Sequence, residues 1–135
     1  MANDKRPENE GASSGIDDQH LGTRVEQLSR EELDALPFGV IRLDAAGRVA
    51  YLSKTEARLS GFGDRNAIGR AFFTELAPCM GTPDFRQRIE QANALGTLDI
   101  TFEQVGDFDD VERELRVRVK SASGGGLWVF IERPN

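Results

Sequence analysis

Apolar and polar residues divide this chain into stretches of distinct character. The first 18 residues are rich in Asp, Glu, Asn, Gly, Ser and Pro and hold no Val, Leu or Phe. They bury too little apolar surface to offset the entropy of ordering, so a disordered tail is expected over 1–18. Val25, Leu28, Leu33 and Leu36 then form a sparse helical stripe. Two capping-box signatures, Thr23 with Glu26 and Ser29 with Glu32, predict two short helices, or one with a break, over roughly 23–36, laid as a cap on a larger body. Phe38 to Leu43 reads as a strand, Asp44 to Gly47 as a tight turn and Arg48 to Leu52 as the antiparallel partner. Ser53 caps a short helix through Ser60 that Gly61 ends. A short apolar run, Phe72-Phe73-Thr74-Glu75-Leu76-Ala77-Pro78-Cys79, follows. Thr82-Pro83 opens a longer helix in which Phe85, Ile89, Ala92 and Leu95 recur at helical spacing. Leu98 to Val105 and Val111 to Lys120 read as strands, the second alternating Leu115, Val117 and Val119 with charged residues. Gly124-Gly125-Gly126 turns the chain into a last strand, Leu127 to Arg133.

Cap helices, two strands, short helices, one longer helix and three strands predict an α+β, PAS-type fold: a five-stranded antiparallel sheet with short connecting helices on one face and an N-terminal helical cap. The expected organisation is a tail over 1–18, the cap over 19–36 and the PAS core over 37–135. Such a fold leaves a small apolar pocket between the short helices and the sheet, with Cys79 on its helical rim.

Composition narrows the class. A chain of 135 residues fits one domain, and 39% hydrophobic with 30% charged residues describes an ordinary soluble protein. No apolar run approaches bilayer length, and the start lacks the apolar core of a secretory signal, so a cytoplasmic protein with no membrane partner is expected. The single cysteine excludes an intramolecular disulfide and fits a reducing compartment. A net charge of -6 argues against nucleic acid as partner. The basic run Arg113, Arg116, Arg118 and Lys120 is interleaved with Glu112 and Glu114 and reads as the solvated face of a strand. A monomer or weak dimer is expected.

The candidate chemistry is sparse. Cys79 follows a proline, which places the thiol in an irregular segment; a free cysteine there is ordinarily a small buried hydrophobe. His20, the only histidine, sits at the end of the tail and cannot serve a Cys–His pair. One cysteine and one histidine do not close a zinc shell. Gly61-Phe62-Gly63 lacks the remainder of a phosphate loop. These exclusions point away from an enzyme and from a metal site.

Leu36-Pro37-Phe38-Gly39-Val40-Ile41-Arg42-Leu43-Asp44, Ile68-Gly69-Arg70-Ala71-Phe72-Phe73, Leu76-Ala77-Pro78-Cys79 and Trp128-Val129-Phe130 resemble the photoactive yellow protein family. The resemblance runs nearly gap-free from about Ile16 to the C-terminus and is most specific from Gly69 to Phe85. It implies that Cys79 carries p-coumaric acid (4-hydroxycinnamic acid) as a thioester, and that light isomerises the chromophore's double bond. Glu56 falls at the position of a glutamic acid that stays neutral in a buried site, donates to the chromophore's phenolate and gives up its proton after isomerisation. The buried carboxylate left behind would loosen the cap. On the residues alone, Glu56 also reads as a solvated residue in a helix's first turn, favoured there by the dipole.

The chain departs from the family around this pocket. Leu52 stands where the family has the tyrosine that donates to the phenolate, and Tyr51, one residue earlier, faces the other side of a strand. Ser60 replaces a threonine and keeps the hydroxyl, and Phe62 replaces an arginine over the chromophore. Gly106 and Phe108 occupy family aromatic positions, and Asp110 replaces a methionine linked to thermal recovery. Phe72 remains as a pocket aromatic. Loss of one donor to a buried phenolate costs about 1–3 kcal/mol and raises its pKa by up to about two units. A chromophore here is therefore expected to be partly protonated near neutral pH and to absorb to the blue of the yellow form.

Two functions are open at this point: a blue-light photoreceptor acting on an unknown signalling protein through its N-terminal cap, and a non-photoactive or weakly photoactive PAS module for ligand binding or protein interaction. A redox-sensing thiol is a third reading, but no basic residue adjoins Cys79 to activate it.

Overall fold

Strand and helix boundaries follow the hydrophobic pattern over the residues that the computed structural model describes: 16–63, 66–76, 87, 89–91, 94, 98–106 and 112–133. In chain order they form α1 (Leu21–Val25), α2 (Arg30–Asp34), β1 (Gly39–Leu43), β2 (Val49–Leu52), α3 (Lys54–Ser60), a π-helical turn (Phe72–Leu76), β3 (Asp99–Val105), β4 (Glu114–Ser121) and β5 (Leu127–Glu132). Gln87, 89–91 and Ala94 are helical, the described part of the helix expected from Thr82. Cys79, Phe108 and Asp110 lie outside the described residues.

All strand pairs are antiparallel, in the order β2-β1-β5-β4-β3, so the last strand of the chain sits between β1 and β4. Period-2 alternation gives this sheet two apolar faces. Ile41, Leu43, Val49, Leu115, Val117, Val119, Leu127, Val129 and Ile131 form one core with Phe62, Phe72 and Ile89. Val40, Tyr51, Trp128 and Phe130 point the other way and are covered by Ile16, Leu21, Val25 and Leu33. The cap and the α3 side therefore pack on opposite faces of one sheet.

Three expectations are corrected. The tail does not extend to 18, because Ile16 is fully buried in the cap-side core and supplies the apolar area that the composition of 1–18 as a whole lacks; residues 1–15 lie outside the described residues. Arg118 is not on a solvated face: its guanidinium is buried and donates to the carbonyls of Ile16 and Asp18 and to both carboxylate oxygens of Asp99. Arg116 forms a second fork with Asp17 at 2.6 Å. The Ser29–Glu32 capping box forms, but Thr23 lies inside α1. Glu26 is drawn instead to Ser123 and Trp128, whose Ser123 N–H, Ser123 hydroxyl and Trp128 Nε1–H donate to it at 2.9, 2.8 and 2.9 Å.

Candidate functional site

The region of interest is built where α3 meets β1. Ser53 caps α3, and its Oγ accepts from the N–H of Glu56 and from the N–H of Val40, both at 3.1 Å. One hydroxyl thus starts the helix and fixes it to the neighbouring strand. Two residues on, Thr55 binds the cap: its Oγ1 lies 3.0 Å from the carbonyl of Asp34 and 2.7 Å from that of Leu36. Lys54 N–H donates to Asp34 Oδ1 at 2.9 Å.

Glu56 is buried at the first turn of α3, which removes the reading of a solvated residue. Arg133 Nη1 and Nη2 donate to Glu56 Oε1 and Oε2 at 2.9 and 2.8 Å, and the two side chains are only 6% and 7% exposed. Sequence reasoning missed Arg133. Its signal was the period of two, since Val129, Ile131 and Arg133 fall on one face of β5 and its extension. Gly39 was also missed. A Cβ there would stand 1.9 Å from Glu56 Oε1, so glycine in this strand marks the close approach of the carboxyl group.

Other expected site residues gather on the same side. Leu52 pairs with Ile41 and packs against the core that contains Phe62 and Phe72. Ser60 is buried one turn after Glu56, and its Oγ accepts from Phe62 N–H at 3.1 Å across the left-handed Gly61. Phe72 meets Phe73 edge to face, with centroids 5.1 Å apart. The segment is tied to the hairpin by Phe72 N–H to the carbonyl of Gly47 at 3.0 Å, and Gly69 and Arg70 bond to Val49. The placement of Cys79 and Phe108 lies outside the described residues.

Tyr51 goes to the cap. Consecutive Arg42 and Leu43 pair with Tyr51 and Val49, so Ala50 is the extra residue of a local irregularity, one step too early to turn Tyr51 inward. Its hydroxyl donates to Asp34 Oδ1 at 2.5 Å, and the Arg30 guanidinium lies 5.2 Å from its ring centroid. Burial, followed by the bond to the Asp34 carboxylate, raises the Tyr51 phenol above its ordinary range.

A buried carboxylate held by a guanidinium, beside an aromatic and aliphatic wall, can accept a hydrogen bond or hold a proton against a polar ligand atom. Among the described residues no group of His, Cys, Asp and Glu is placed to hold a metal, and no helix is long and apolar enough to cross a membrane. Residues 27–133 match the PAS fold family model. The photoactive yellow protein of Rhodothalassium salexigens is 34% identical over 120 residues, covering 88% of this chain and 94% of that protein. The chain belongs to the photoactive yellow protein family. The photoactive yellow protein of Halochromatium salexigens is 32% identical with the same coverage. Among solved structures, the photoactive yellow protein domain of the sensor histidine kinase Ppr from Rhodospirillum centenum is 34% identical and superposes with a TM-score of 0.66, covering 82% of this chain and 97% of that domain. The PAS domain of an HTR-like protein from Haloarcula marismortui shares the fold at 13% identity and a TM-score of 0.62.

Proposed function

We propose that this chain is a blue-light photoreceptor that carries p-coumaric acid as a thioester on Cys79 and signals through its N-terminal cap. The observation that carries this reading is the buried carboxyl of Glu56, at the position that the sequence resemblance gives to the family's glutamic acid, seated over the bare backbone of Gly39 and facing the apolar side of the sheet. When bound, the p-coumaroyl group supplies absorption of blue light and a double bond that isomerises.

The chain supplies the remainder. The Cys79 thiolate attacks the carbonyl of an activated p-coumaroyl donor and expels the donor's leaving group, so one acyl bond forms as another breaks. Phe62 and Phe72, with Phe108 by the family resemblance, would exclude water from the bound group, Leu52 would line its ring, and the Ser60 hydroxyl would offer a polar contact. Glu56 shares a proton with the phenol oxygen at Oε1 or Oε2. A change there reaches the cap through one helical turn, because Ser53, Lys54 and Thr55 join the start of α3 to Val40, Asp34 and Leu36. The cap, once loosened, would meet a signalling protein in the cytoplasm. The family domain joined to a sensor histidine kinase in Rhodospirillum centenum supports a signalling role of this kind.

The test is to incubate the purified protein with activated p-coumaric acid and record intact mass and spectrum before and after blue light, with Cys79→Ala as control. The expected result is a single adduct, lost in the control, whose absorption changes reversibly on illumination. Absence of an adduct overturns the reading; an adduct without a photocycle favours the PAS ligand-binding module, for which the hydroxyl-free Leu52 is the supporting observation.

A further inference from the structure

We infer that the cleft between the β1–β2 turn and the helix through Ile89 and Glu90 is a docking slot for a lysine side chain of a partner protein. The inference does not rest on the photoreceptor reading, since neither Cys79 nor Glu56 takes part in it.

The cleft is built from separate walls. Asp44 and the turn that follows it form one side, Ile89 and Glu90 the other, and Phe73 and Leu127 complete the apolar lining of a space of about 100 Å³. Ile89 and Leu127 are buried, and Phe73 packs against the same core with its ring set edge to face on Phe72. The slot is remote from the Glu56 site. Gly39, which meets the Glu56 carboxyl, opens β1 and Asp44 follows its last residue, so about 17 Å of strand separates the two.

Charge at the mouth of the cleft is uncompensated. Asp44 Oδ1 accepts the N–H groups of Ala46 and Arg48, both at 2.9 Å, which fixes the carboxylate at the head of the turn and commits only one of its oxygens. The Arg48 guanidinium turns away to the carbonyl of Gly69 at 2.8 Å. Glu90 is exposed and, like Asp44, has no ion-pair partner among the described residues.

An apolar lining flanked by two carboxylates matches a side chain that is apolar along its stem and positive at its tip. The volume is about three times one water's share of the liquid, enough for one side chain, whereas pockets for drug-sized ligands begin at about 300 Å³. Lysine fits better than arginine. An ammonium is a compact charge with three donors that can meet carboxylates on two walls, whereas a guanidinium fork asks for two open oxygens on one carboxylate, and Asp44 has already committed one. The net charge of -6 favours encounter with a basic partner.

The probe is the peptide acetyl-Ala-Ala-Lys-Ala-Ala-amide, titrated into the isotope-labelled full chain and followed by NMR beside the same peptide with norleucine, which keeps the stem and loses the charge. The lysine peptide is expected to shift the amides of 44–47, Phe73, Ile89 and Glu90 and to leave those of β3 and β4 in place, and the norleucine peptide to shift them less. Asp44→Asn, which keeps the acceptor that the turn needs, and Glu90→Gln should each weaken binding about two- to fivefold. No shift at these residues, equal shifts with norleucine, or an affinity unchanged in both variants overturns the inference. Shifts at the same residues that follow protein concentration without peptide would give the cleft to a second copy of the chain. Binding of n-butylammonium as tight as that of the peptide would give it to a free amine, and either result likewise overturns the partner assignment.

Discussion

At Gly39 a single added methyl would collide with the Glu56 carboxyl, since its carbon would lie 1.9 Å from Oε1 and 2.9 Å from the carboxyl carbon. Gly39→Ala is therefore expected to expel the carboxylate from the Arg133 fork. Breaking a buried pair costs about 3–5 kcal/mol, which urea unfolding will show as a lowered midpoint. Gly39→Ala with Glu56→Ala should cost clearly less than the sum of the single changes, because the same ion pair can be lost only once. The adjacent residues of β2 separate two other effects. Tyr51→Phe removes the bond to Asp34 and should cost about 1–2 kcal/mol. It should leave the spectrum of a bound chromophore unchanged, because Tyr51 lies on the cap side. Leu52→Tyr returns a hydroxyl to the other face and should raise the phenolate fraction of the visible spectrum.

At the scale of elements, the cap is held by charge as well as by apolar area. Arg118 and Arg116 on β4 bind the segment preceding α1, and Glu26 binds the turn preceding β5. Hydrogen bonding from Arg118 holds Asp99 below the ordinary carboxylate range, and that from Arg116 does the same for Asp17. Burial works against Glu26, but bonds from Ser123 and Trp128 bring it below its ordinary value as well. Carboxylates lowered in the folded state contribute stability that is present above their unfolded pKa of about 4 and is lost as pH falls through the folded values. Thermal midpoints followed by circular dichroism should hold between pH 7 and about 5 and fall below about pH 4. Arg118→Gln should lower the midpoint at pH 7 and flatten that acid dependence. The exposed Asp17–Arg116 fork is the lesser contributor. Alternation made β4 legible in the sequence, but not the role of its cations. A strand whose second face carries Arg and Lys reads the same whether water or a returning segment of chain covers it, and only Ile16 hinted at the cover.

Across the whole molecule, the sheet is a partition with a buried face on each side. The five strands and the second cap helix were legible because they follow local periodicity and a capping box, whereas the first cap helix starts at Leu21, ahead of the Thr23 signal. Arg133 with Glu56, and Gly39 beneath them, were not, because that site joins residues 77 positions apart whose meeting depends on β5 inserting beside β1. The same topology orders stability. Backbone amides of β1, β4 and β5, each paired to neighbours within the sheet, should resist hydrogen exchange longest, and those of α1 and α2 should open at lower free energy. Blue light on the loaded protein should accelerate exchange in 21–36 while leaving β4 and β5 protected.

Trp128, the only tryptophan in the chain, lies on the partition's cap side. It stacks on Phe130 at 6.1 Å, has the Arg42 guanidinium 5.5 Å from its ring, and donates its indole N–H to Glu26 of the cap. Lifting the cap would hand this indole from a hydrogen-bonded, nearly dry setting to water. The protein thus contains a native fluorophore at the joint that the proposed signal would open, and a red shift of its emission on illumination of the loaded protein would time the release of the cap without any added label.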